Sequence, residues 1–151
     1  MMNVPTPPER FSGQNDKVMK YNYTFEEVSK IFAQVAKIEK KASAMEEAAA
    51  AYEIKSHEFD IEFKKYDYSF RNAPEEVFTM FAEKCHLEDE RDKAEKVYRK
   101  AAKEFVVMWE MSKDDYEEKV IIRYSNYNWY HKSFVRDIRY WALKASRRIL
   151  V

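Results

Sequence analysis

The sequence contains one glycine, Gly13, and four prolines among 151 residues. Tight hairpin turns need glycine to reach positive φ, and phosphate-cradling loops need it so that backbone amides can converge on an anion. A chain with one glycine is therefore left with few, long elements joined by short connections. A single cysteine, Cys85, excludes an intramolecular disulfide. Apolar runs such as FVVMW at 105–109 fall far short of the roughly 18 residues a membrane-spanning helix requires. The N-terminal MMNVPTPPERFSGQNDK lacks the apolar stretch of a secretory signal, and its acids and scarce arginine argue against an organelle-targeting segment. These absences predict a soluble, intracellular protein and leave its compartment open. Net charge is also missing, since Lys plus Arg and Asp plus Glu both number 27. The global basic bias of a dedicated nucleic-acid-binding domain is not there.

What the chain does have is an apolar fraction of 46% and a charged fraction of 36%, which suits one domain of long, amphipathic, well-solvated helices. The predicted class is all-α: an antiparallel three-helix bundle or coiled coil, preceded by an irregular N-terminal arm. Residues 1–23 form the proline-containing arm, and 24–151 form a single helical domain with helices at about 24–70, 73–111 and 113–149.

Thr24 and Glu27 stand three apart in T-F-E-E, the pattern of a capping box. From Val28 to Phe70, apolar residues recur with 3-4 spacing, Ser56 being the one polar exception. Such a seam specifies a long helix with a coiled-coil-like stripe, about 70 Å in extent. The stripe is aliphatic at first, small at Ala42 and Ala49, and aromatic from Tyr52 onward. Asn72, Pro74, Glu75 and Glu76 mark the start of the second helix, with Asn72 as the expected cap. Val77, Met80, Phe81, Leu87, Ala94, Tyr98, Ala101, Phe105 and Met108 supply its apolar face. Ser112 with the acids after it suggests a corner. If the third helix turns back there, Tyr127, His131 and Phe134 come level with the small residues Ala49 and Ala94.

Charge is distributed unevenly: residues 123–148 carry seven basic side chains and one acid. On a helical wheel Lys132, Arg136, Arg139 and Arg147 fall within a sector of about 80° opposite the apolar stripe. Trp129 and Tyr140 lie beside that basic sector. These six residues are the candidate partner-binding positions. Aromatics beside arginine suit a protein interface, and they also suit phosphate contact with base stacking on single strands.

Chemistry finds little support. Glu83 and His86 form one Glu-x-x-His, but carboxylate-bridged metal bundles need that motif twice with two further acids. His86 points about 100° away from Cys85 around the helix, so it cannot activate the thiol from there. No catalytic residues, cofactor or metal are expected. His131 lies on the apolar stripe and is expected in the core or at its boundary. The leading expectation is a non-enzymatic helical interaction protein, a scaffold or accessory subunit of a larger protein assembly. The alternatives are a nucleic-acid-binding accessory factor using the basic aromatic face, and a self-associating coiled coil.

Overall fold

The computed structural model describes residues 22–111 and 127–149, the side chains of 127–130 excepted. The fold is a helical bundle, and the described residues form three α-helices: α1 (Phe25–Lys64), α2 (Glu75–Met108) and α3 (Tyr127–Ser146). A 3-10 turn at Phe70–Asn72 lies between α1 and α2. The expected arm up to residue 21 and the expected corner and start of the third helix, 112–126, lie outside the described residues.

The capping box forms as expected. The Thr24 amide donates to Glu27 Oε1 and the Glu27 amide to Thr24 Oγ1, both at 3.0 Å. Tyr23 and Val28 flank it and are both buried, which is the placement of a hydrophobic staple.

The C-termini show how the chain ends helices without glycine. Asp67 takes φ 55° and Tyr68 φ 57°. The Tyr68 amide reaches back to the Phe63 carbonyl, the Asp67 amide to that of Lys64, and the Phe63 and Tyr68 rings meet edge-on at 5.7 Å. This is a Schellman motif with its apolar contact. It ends α1 at Lys64, six residues short of the boundary that the seam suggests. At the end of α2 the pattern repeats: Glu110 has φ 57°, Met111 donates to the Val106 carbonyl and Glu110 to that of Val107. Val106 and Met111 are buried. Glutamate has no local hydrogen bond that eases a left-handed backbone, as Asn or Asp can. Glu110→Gly is therefore expected to stabilise the protein by about 1 kcal/mol, and Glu110→Ala to change little. Thermal midpoints of the three proteins check this, with a shift of about 3 °C for the glycine variant alone.

Asn72 does not serve as the cap of α2; it closes the 3-10 turn. Ala73 is extended, with φ −88° and ψ 145°, as the residue before a proline should be.

Two compact units make up the chain. Unit 1 joins Met1–Ala42 with Tyr98–Val151, and unit 2 is Ser43–Val97. In unit 1 the start of α1, the end of α2 and all of α3 surround one core. Ile31, Val35 and Ile38 come from α1, Ala102 and Phe105 from α2, and Phe134, Ile138, Trp141 and Ala145 from α3. Trp141 stands at the centre, with the rings of Tyr23, Phe105 and Trp109 at 6.3, 5.8 and 6.0 Å. Trp109 is fixed in turn by donating to Gln34 Oε1 at 2.7 Å.

These contacts set the helix directions. α3 is antiparallel to α1: Tyr23 bridges to Ile149 and its amide donates to the Arg148 carbonyl, while Arg139 pairs with Glu39. Against α2, Tyr98 meets His131 and Phe105 meets Trp141, so α2 and α3 run the same way. A short corner at 112 would make them antiparallel. The segment 112–126 that joins them lies outside the described residues.

Unit 2 is a two-helix hairpin. Lys55 pairs with Glu83, Arg91 lies over Tyr52, and Phe59 meets Phe81 and the Lys84 ammonium. Partners descend α2 as they climb α1, the signature of antiparallel helices. Two helices cover only one side of each other. The α1 seam, fully buried through Ala49, is accordingly half-buried at Tyr52, Ser56 and Phe63. Arg91 and Lys84 lay their cations over two of its rings, which shields apolar surface from water. On α2, Phe81 and Met108 are more exposed than the expected face implies, at 40% and 45%.

Candidate functional site

The turn of the unit 2 hairpin gathers the largest aromatic cluster among the described residues. Phe70, from the 3-10 turn, is its centre, with Phe63 at 4.6 Å, Phe78 at 5.1 Å and Phe81 at 5.3 Å. Phe59 closes the group from below, buried, at 4.9 Å from Phe63. The geometry follows from the local sequence. The Schellman turn at Asp67 reverses the chain and brings Phe70 back over α1, and Pro74 launches α2 so that Phe78 and Phe81 rise beside it. Tyr68, Phe78 and Phe81 keep 61%, 47% and 40% of their surface in water. Ile61 is exposed on the same stretch of α1.

Acids outnumber bases around this cluster: Asp60, Asp67, Glu75 and Glu76 are exposed, against exposed Lys64 and Arg71. Of the nearby lysines, Lys65 is engaged by Glu62 at 2.8 Å; that bond, then its charge, raises the Lys65 pKa. Hydrogen bonds to Glu83 and Glu58 do the same for Lys55. Lys65 and Lys55 are thus engaged in local ion pairs, and residues 58–84 carry four basic against seven acidic side chains.

The positions expected to bind a partner lie in unit 1. Lys132, Arg136, Arg139 and Arg147 are exposed and Tyr140 is half-buried, so α3 does separate a cationic face from a core face. Trp129 is in α3, but its side chain lies outside the described atoms. Two of the arginines are engaged: Arg139 pairs with Glu39 of α1, and Arg136 contacts Ser133 Oγ at 3.2 Å and the buried Asp137 at 3.5 Å. Lys144 places its ammonium 5.9 Å from the Tyr140 ring centroid. Part of the charge on this face is thus met within the chain, while Lys132, Arg136, Arg139 and Arg147 remain exposed.

The titratable groups in the unit 1 core are enclosed. His131 and Asp137 are buried, and His131 meets the Tyr98 ring edge-on at 6.1 Å. The Tyr98 hydroxyl is buried without a hydrogen-bond partner, as is Trp141 Nε1. Burial drives the Tyr98 phenol well above its ordinary value of 10.0. Cys85 is half-buried in unit 2 and His86 is exposed. Among the described residues no three His, Cys, Asp or Glu side chains converge as metal ligands, and no helix is long and apolar enough to cross a membrane.

The chain matches no protein-family model, no curated protein and no solved structure.

Proposed function

We propose that the chain is a non-enzymatic helical interaction protein, acting as a scaffold or accessory subunit of a larger protein assembly, and that the aromatic end of unit 2 is its principal contact surface. The supporting observation is the exposure of Tyr68, Phe78 and Phe81 in one connected ring cluster. Contiguous exposed aromatics oppose solubility and mark contact surfaces, and aromatic anchors carry a large share of binding energy at protein interfaces. The excess of acids around the cluster calls for a partner that is apolar at its centre and basic at its edge.

Affinity capture from native extract tests this. Phe78→Ser with Phe81→Ser should abolish recovery of a specific protein set that survives nuclease treatment, while circular dichroism stays helical. An unchanged set would overturn the assignment of this surface. The nucleic-acid reading draws on residues 131–149, where six basic side chains face one acid. It requires binding of single-stranded oligonucleotides that weakens steeply with salt and is lost in a Trp129→Ala, Arg136→Glu, Tyr140→Ala variant.

A further inference from the structure

The division into units exposes a polarity that the helices conceal. Unit 2 carries 8 basic and 15 acidic side chains, net −7. The described residues of unit 1 carry 13 basic and 6 acidic, net +7. A chain with zero net charge thus consists of an acidic unit and a basic unit of equal magnitude. Most of the positive excess is on α3 and the turn after it, and the aromatic cluster lies within the negative unit.

Opposite potentials of this size on separate surfaces steer encounters and set their orientation. In a solution of the purified chain, unit 1 of another copy offers a surface that complements unit 2. We infer that the chain self-associates head to tail, the acidic aromatic end of unit 2 in one copy receiving the basic face of α3 from a second copy. Lys132 and Arg136 supply exposed cations to that contact, and Asp60, Glu76, Phe78 and Phe81 the exposed acids and rings that receive them. The contact is heterologous, between different patches, so it chains or closes according to the rotation between copies. It rests on the aromatic end being a docking surface and names the partner that surface takes. It differs from a coiled-coil self-association, which would use the α1 seam, buried in unit 1.

The test needs only the purified chain. Sedimentation equilibrium at about 50 mM salt should give a weight-average mass above that of one chain, falling to one chain at about 500 mM, where charges are screened within a few ångströms. Asp60→Lys with Glu76→Lys should weaken association at least about tenfold, and so should Lys132→Glu with Arg136→Glu. Mixing the two variants restores complementary charge at both contacts, so the mixture should associate where neither variant does alone. Circular dichroism confirms that each variant is folded. A single-chain mass at low salt overturns the inference, as does self-association that neither reversal weakens or a mixture that stays monomeric. Those results would leave the capture experiment with Phe78 and Phe81 to decide separately whether the aromatic end docks an unrelated protein.

Discussion

Trp141→Ala is expected to cost about 3–5 kcal/mol, enough to leave unit 1 unfolded or nearly so at ambient temperature. Trp141 is 1% exposed, and its indole touches rings from the segment before α1 and from α2 and its end. Truncation removes apolar contact and leaves a cavity that three helices cannot collapse into together. Trp141→Phe should cost much less. It keeps most of the ring and removes an N–H that has no acceptor. Urea denaturation of the two variants checks this. Equal losses would mean that the indole nitrogen has a partner and that the core is not organised around the ring.

Tyr98→Phe should move stability the other way. The hydroxyl is desolvated without a hydrogen bond, so its removal is expected to stabilise the fold by about 1 kcal/mol at neutral pH. The same burial gives a pH signature. Below about pH 10 the phenol keeps its proton in both folded and unfolded chains, and the residue adds no pH dependence. Above that the unfolded chain ionises while burial holds the folded phenol neutral. The unfolded state then binds fewer protons, and stability falls by about 1.4 kcal/mol per pH unit until the folded phenol also ionises. The variant lacks this loss, so the stability gap between variant and wild type should widen above pH 10. Parallel stability curves from pH 8 to about 11 would contradict the assignment of a solvent-excluded phenol.

Local rules carried much of the fold into the sequence. T-F-E-E predicts a capping box and the two hydrogen bonds are there. The seam residues Val28 to Ala49 are buried, and so are Phe134, Ile138, Trp141 and Ala145. Features that depend on long-range pairing did not show. Tyr23 reads as the last residue of an irregular arm, yet it is buried and bonded to the chain end; its one local signal is its position before the cap, where a staple residue sits. Periodicity cannot register a Schellman turn built on Asp67 or Glu110, because glycine is the usual marker of that turn. Short-connection reasoning gave α3 the opposite direction to α2, since nothing local tells a corner from a return. The exposure of the aromatic end, where a contact surface is proposed, was hidden for a related reason. A 3-4 stripe says which residues want burial, not how many helices arrive to bury them. The aromatic half of the α1 seam received one neighbour and remained partly exposed. Charge counted helix by helix hides the polarity, because the acidic unit is the continuous stretch Ser43–Val97, made of parts of two helices.

Whether the aromatic end of unit 2 is a contact surface answered by the basic face of α3 is decided by residue-resolved NMR at low salt as protein concentration rises. Concentration-dependent shifts are expected at two sets of residues, Tyr68, Phe78 and Phe81 in unit 2 and Lys132, Arg136 and Tyr140 on α3, with both sets reverting on addition of salt. Shifts spread along α1 from Phe25 to Ile54, or signals that stay unchanged at every concentration, would contradict that contact.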